Sequence, residues 1–232
     1  MNPDTLQLYI GVGSYAHDIT VVSTLAFSGD PIDRWRGANV DKPYTIESDI
    51  PHMQLERDAR HTSNQGLQPG VVCVTALLDG QVAGVAVWDV PRRHRRTETL
   101  SQLAYRKYVE YQESLADWWS PPPSLYVKRQ EIIRTLRLEY AERHLGKGQL
   151  QKTWYLKTLA VLPSLQRKGV GTALVQWGLE RAKETGEKIY VDSSYVGKPL
   201  YLKLGFREVG GFVVADSGVR VSCMLWEPSG NL

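Results

Sequence analysis

The stretch from Trp154 to Thr185 constrains this 232-residue chain more than any other. Trp154 to Val161 is a β-rich run stopped by Pro163. Residues 167–185 carry Val170, Leu174 and Trp177 on one helical face and Val175, Leu179 and Ala182 on its neighbour. So broad an apolar stripe calls for a helix packed tightly on a sheet. Between the two lies the loop Gln166-Arg167-Lys168-Gly169-Val170-Gly171. A strand feeding such a loop, and the loop a helix, gathers backbone N–H groups and the positive end of a helix dipole at one point, which suits a phosphate or pyrophosphate. Gly169 and Gly171 let the backbone approach such a ligand closely, and Arg167 and Lys168 add positive charge. On their own, the glycines equally fit a simple tight turn.

The flanking segments fill in a sheet. Lys188 to Ser193 reads as a short strand, and Pro199 to Leu204 as a short helix stopped by Gly205. Residues 206–215 and 219–226 form a closing hairpin around Asp216-Ser217-Gly218. Upstream, Val71–Leu78 and Gln81–Trp88 make a hairpin across Asp79-Gly80, a pair that favours a tight turn. Residues 14–27 are helical and end near Gly29-Asp30-Pro31; residues 31–51 are loop with a short helical piece. Residues 52–65 are helical up to Gly66.

Residues 91–150 form a long polar insertion with two helical patterns. The first places Leu100, Ala104, Tyr108, Tyr111 and Leu115 on one face, with Thr97 as candidate N-cap, and Pro121-Pro122-Pro123 ends it. The second places Ile133, Leu136 and Tyr140 together and stops at Gly146 and Gly148. The insertion reads as a substrate-side element or as a pair of packing helices. Trp118-Trp119 could line an aromatic pocket there.

The chain length suits one domain, and 42% hydrophobic with 23% charged residues is a soluble globular composition. No apolar run reaches the ~20 residues that span a bilayer, and Met1-Asn2-Pro3-Asp4 lacks the features of a secretion signal. No membrane partner is expected, and a cytoplasmic enzyme fits. Cys73 and Cys223 lie in apolar β-type runs and read as buried reduced thiols, a disulfide being the alternative. A net charge of +3 is too mild for a nucleic-acid binder. The cluster Arg92-Arg93-His94-Arg95-Arg96 reads as a solvated connector, a nuclear-localisation signal or an anion-attracting rim. His17, His52, His61, His94 and His144 show no ligand spacing, so no metal is expected. No G-x-S-x-G elbow occurs.

The string Leu159-Ala160-Val161-x-Pro163-x-x-Gln166-x-x-Gly169-x-Gly171 resembles the signature segment of the GNAT acetyltransferases. Further on, Pro199-Leu200-Tyr201-Leu202-Lys203-Leu204-Gly205-Phe206 resembles that superfamily's later segment, and the hairpin at 71–88 sits where its second and third strands lie. Ala26-Phe27-Ser28-Gly29-Asp30-Pro31, Val85-Ala86-Val87-Trp88 and Trp154 look like the puromycin N-acetyltransferase type. The resemblance implies an α/β (α+β) fold: a mixed, mostly antiparallel, twisted sheet of about six to seven strands, splayed between the fourth and fifth, with helices on both faces. It implies one domain over residues 1–232 with the insertion at about 91–150.

The same resemblance implies acetyl-CoA as cosubstrate, and direct attack by the amine of a small molecule in a ternary complex. A protein or peptide acetyltransferase, or a non-catalytic acyl-CoA-binding module, remains an alternative. By resemblance Leu159 N–H polarises the thioester carbonyl and Val161 pairs with the pantetheine arm, as an added strand would. Gln166, Arg167, Lys168, Gly169, Val170, Gly171 and Thr172 hold the pyrophosphate, and Tyr201 stands beside the sulfur as proton donor. A purely packing role for the Tyr201 ring is the other reading.

Two positions depart from the family pattern. Some relatives carry a glutamate base where this chain has Tyr155, which leaves Asp89, Asp192 or Glu47 as relays through water, or no strong base at all. An α-amine with pKa near ~7.7–8.0 needs less help than a lysine-type amine near ~10.4, so amines of lower pKa are the expected preference. Gly197 replaces an asparagine that touches the cofactor in many relatives, leaving that contact to Ser193 or Ser194, or absent. Oligomeric state is left open by the sequence.

Overall fold

In the computed structural model, Asp79 (φ 51°) and Gly80 (φ 80°) take the left-handed conformations that a two-residue hairpin needs. They join β2 (Val71–Leu78) to β3 (Gln81–Asp89). The structure describes residues 6–36, 44–122, 124–214 and 217–228. Around the hairpin run β1 (Leu6–Ile10), α1 (Ala16–Phe27), α2 (Pro31–Arg36) and α3 (His52–Leu67) before it. After it come α4 (Leu100–Trp119), α5 (Ser124–Leu145), β4 (Trp154–Val161), α6 (Val170–Thr185) and β5 (Ile189–Ser193). Helix α7 (Lys198–Lys203), β6 (Arg207–Val214) and β7 (Val219–Trp226) close the chain.

Seven strands form one sheet in the order β1-β2-β3-β4-β5-β7-β6. Every neighbouring pair is antiparallel except β4 and β5, which are parallel. Helix α6 covers one face, where Val170, Leu174 and Val175 bury against Val74, Ala86, Trp88, Leu156 and Val191. The approach is close: a Cβ at Gly178 would lie 2.3 Å from the Trp88 ring, so a glycine is required there. The opposite face carries α1, through Ile19 and Val22 on Val85, Val87 and Ala160, and α5, through Ile133 and Ala141 on the cluster of Tyr190, Phe212 and Val221.

Several expectations need correction. Strand β1, with four of its five residues exposed, was not anticipated. Thr99, not Thr97, caps α4: its side chain accepts from Gln102 N–H while the Gln102 side chain accepts from Thr99 N–H, a capping box. The stripe read on α4 does not pack, since Leu100, Tyr108, Tyr111 and Leu115 are exposed. Trp118 and Trp119 are 77% and 83% exposed and lean on each other rather than lining a cavity. The N-terminal tetrapeptide, Pro43 within the 31–51 loop, Pro123 of the proline stop and Asp216 of the last turn lie outside the described residues. Cys73 and Cys223 are free and buried, and burial pushes both thiols up to about 11. Among the described residues, no helix is long and apolar enough to cross a membrane.

Candidate active site

Strands β4 and β5 pair only where Trp154–Leu156 face Ile189–Val191, and beyond that they part. Trp154 N–H donates to Lys188 C=O (3.0 Å) at the start of this ladder, so the N–H groups of Trp154 and Leu156 aim at β5. The register with β3 then slips, Trp88 facing Leu156 but Val87 facing Thr158, which makes Lys157 the extra residue of a β-bulge. A one-residue insertion reverses the alternation. Past the bulge Leu162 N–H donates to Ala83 C=O on the β3 side (2.9 Å), so the main-chain groups of Leu159 and Val161 face the opened side. Side chains record the same reversal. Trp154, Leu156, Leu159 and Val161 all pack toward α6, whereas Ala160 packs toward α1.

The loop after β4 is anchored to this free edge. Gln166 Nε2 donates to Val161 C=O (3.2 Å). Arg167 (φ 61°) and Gly169 (φ 88°) are both left-handed, which turns the chain into α6 with Gly169 as N-cap. Gly169 C=O accepts from Ala173 N–H (2.9 Å), and the N–H groups of Val170, Gly171 and Thr172 belong to the first turn, which has no intrahelical acceptor for them. A Cβ on Gly171 would sit 3.4 Å from Leu200 Cδ2 and 3.6 Å from Val161 Cγ2, so this turn rests on both β4 and α7. Arg167 and Lys168 are exposed, and neither forms an ion pair with a described residue. The loop therefore presents amides and two cations to one side.

Tyr201, on α7, is buried with its ring edge-on to Phe206 (5.4 Å between centroids). Burial pushes its phenol well up, so it stays protonated at neutral pH. It lines a cavity of about 190 Å³ in the β4–β5 opening together with Leu159, Asp192 and Ser193. Gly197 keeps these groups close: a Cβ there would lie 3.2 Å from Ser193 Oγ and 3.4 Å from the Tyr201 ring. The two serines hold the adjoining turn, Ser193 Oγ donating to Ser194 C=O (2.9 Å) and Ser194 Oγ accepting from Gly197 N–H (3.3 Å).

Tyr155 does not stand in for a carboxylate base. Its hydroxyl donates to Asp192 Oδ2 (2.6 Å), while Cys223 Sγ lies 3.8 Å from Asp192 Oδ1 and Arg137 Nε 3.9 Å from Oδ2. Burial pushes the Asp192 carboxyl up, against the pull of Arg137 and the Tyr155 hydrogen bond. Of the three acids read as relays, Asp192 alone reaches this cavity. Asp89 pairs with Lys157 Nζ (3.4 Å) and Glu47 with His17 on the exterior (2.8 Å).

Sequence reading missed the α2 side of the opening. Asp33 and Arg36 form an ion pair that borders both this cavity and a second one of about 250 Å³, which continues between α1 and α3. Burial lowers the Arg36 pKa. Part of the arginine cluster, exposed as a connector would be, is also tied into the fold. Arg93 Nε (2.7 Å), His94 Nε2 (2.8 Å) and Trp154 Nε1 (2.9 Å) all meet the buried Glu187 carboxylate, and Arg96 donates to the Gly66 and Gln68 carbonyls. It fastens the end of α6 to the start of β4. Among the described residues, no group of three or more His, Cys, Asp and Glu is placed to hold a metal ion.

Residues 124–228 match the family model described as an acetyltransferase (GNAT) domain, a match that starts at α5 and so includes half of what the sequence suggested was an insertion. An acetyltransferase of the fungus Stachybotrys chartarum is 32% identical over 152 residues, 64% of this chain and 60% of its own length. The chain thus spans less than two thirds of that relative. Arylalkylamine N-acetyltransferase 2 of Aedes aegypti superposes with a TM-score of 0.58 at 15% identity, over 97% of this chain and 100% of its own. A Corynebacterium glutamicum structure described as histone acetyltransferase HPA2 and related acetyltransferase gives 0.56 at 20% identity, over 98% of each chain. At such identities these structures speak to the fold, a GNAT-like seven-stranded mixed sheet.

Proposed function

We propose, for a chain that has the GNAT fold and carries the GNAT acetyltransferase domain at residues 124–228, that it transfers the acetyl group of acetyl-CoA directly to the amine of a small molecule in a ternary complex. The observation that carries this reading is the free edge of β4. Its Leu159 and Val161 main-chain groups are turned outward by the Lys157 bulge, and it lies between the α6 N-terminus and Tyr201. An extended pantetheine arm fits such an edge as one more strand.

Each part then has a task. The amides of Val170, Gly171 and Thr172, with Arg167 and Lys168, bind the pyrophosphate. Gln166 secures the loop to Val161. Leu159 N–H, fixed in the sheet, donates to the thioester oxygen and to the negative charge that grows there, which requires no reorganisation at the moment of reaction. Tyr201, kept protonated by burial, gives its proton to the departing thiolate as the C–S bond breaks, and the surplus proton of the newly acylated nitrogen restores the phenol. The acceptor amine approaches from the α1–α2 side, where the two cavities meet at Phe27, Asp33, Arg36 and Thr158. The finer likeness to the puromycin N-acetyltransferase type rests on sequence segments alone, and the preference for amines of lower pKa rests on the tyrosine at position 155. Isothermal titration with CoA tests the donor half of this reading. Stoichiometric binding that weakens in Arg167→Ala/Lys168→Ala supports it, and no binding by the native protein contradicts it.

A further inference from the structure

The cavity between α1 and α3 has a polar wall that the transfer chemistry does not use. Tyr44 Oη donates to Gln54 Oε1 (3.2 Å). Gln54 and Asp58 stand one helical turn apart on α3 and line the same wall. An ionised Asp58 carboxylate offers only acceptors there. Ser23, Thr24 and Tyr126 share this lining with the Asp33–Arg36 pair and His61.

No described Lys or Arg lies within ion-pair distance of Asp58. The charges facing it are committed elsewhere: Arg36 to Asp33 and to Gln130 (3.2 Å), Arg57 to Ser120 C=O (3.1 Å) and Asp117, and His61 to Glu113 (2.9 Å). They act on Asp58 only at longer range, and burial outweighs them in pushing its carboxyl up. A half-buried carboxylate with acceptor capacity to spare and no paired cation is an uncompensated charge.

The geometry points to Asp58 as the anchor for a second cationic group on the acceptor, which makes the acceptor a small diamine: one nitrogen is acetylated at the β4–β5 opening while the other sits on Asp58. This rests on the acetyl-transfer reading for the reacting end alone, and a short diamine meets the preference for amines of lower pKa because its first charge disfavours protonation of the second nitrogen. The two ends are joined through Thr158, Phe27 and Arg36, which line both cavities.

The test is calorimetric binding of straight-chain diamines of three to six carbons, and of monoamines of matched length, to the CoA-bound protein, with thiol release from acetyl-CoA measured in parallel. The best diamine is expected to bind at least about tenfold more tightly than its monoamine. Asp58→Asn should remove that preference and leave monoamine binding and CoA affinity unchanged, and Asp58→Glu should recover part of it. Equal binding of diamines and monoamines, or an Asp58→Asn variant that still prefers the diamine, overturns the proposal. Diamine selectivity without thiol release would uphold the anchor and contradict the transfer reading, so the two fail separately.

Discussion

The Tyr155 hydroxyl donates to Asp192 Oδ2 at 2.6 Å, bracing β4 against β5 at the point where the two strands begin to separate. Tyr155→Phe should therefore cost about 1–3 kcal/mol in urea unfolding at neutral pH, since a buried carboxylate loses a donor. The hydrogen bond lowers the Asp192 pKa and burial raises it, with burial prevailing. A carboxyl whose folded pKa is raised contributes stability below its unfolded pKa and loses it as pH rises through the folded value. Losing the tyrosine donor lifts that value further. The stability gap between native protein and variant should then shrink as pH falls and Asp192 takes its proton. A gap that does not change with pH would show that the carboxylate is not the partner that matters.

Tyr201→Phe keeps the ring on Phe206 and removes only the donor. It should lower kcat by roughly a hundredfold while CoA affinity stays within about twofold, as expected for general-acid loss. Equal kcat in the variant would leave Tyr201 with a packing role alone.

Arg167 and Lys168 are exposed and have no ion-pair partner among the described residues, so replacing both with alanine should leave the melting temperature almost unchanged. KM for acetyl-CoA should rise about tenfold at low salt. The rise should fade near ~1 M salt, where charges are screened within ~3 Å. A salt-independent change would place the effect in the loop conformation rather than in its charge.

Glu187→Gln leaves Arg93 and His94 without their anion and weakens the acceptor for Trp154 Nε1. Because Arg93 is largely exposed, the Arg93 share is modest, and a total of about 2–3 kcal/mol by denaturant unfolding is expected. Glu187 follows the C-terminal end of α6 whereas the proposed cofactor loop precedes its N-terminal end, so KM for acetyl-CoA should hold. A large change in KM with little loss of stability would contradict the clamp.

Much of the sheet was legible because apolar runs and turn pairs are local signals: Asp79-Gly80 alone places β2 beside β3. The loop, helix α6 and the short helix bearing Tyr201 were legible in that order as local structure, but their reading as a cofactor site came from the resemblance, since the glycines alone equally fit a tight turn. What escaped depends on distant partners. Strand β1 is mostly exposed and lacks the alternation of a half-buried strand. The Lys157 bulge exists only as a mismatch between β3 and β4. The role of Arg93 and His94 is set by Glu187, far along the chain. Thr99 was a missed local signal, for Gln102 stands three residues on whereas Thr97 has no such partner. Trp118 and Trp119 misled because apolar character does not fix which surface a helix turns inward.

Acetyl transfer by this chain is measured as free thiol released from acetyl-CoA on mixing with a panel of small amines. Direct acetyl transfer predicts release that requires the amine, matches N-acetyl product mole for mole, and falls roughly a hundredfold in Tyr201→Phe. Tight CoA binding with no amine-dependent release, across monoamines and diamines alike, would contradict it.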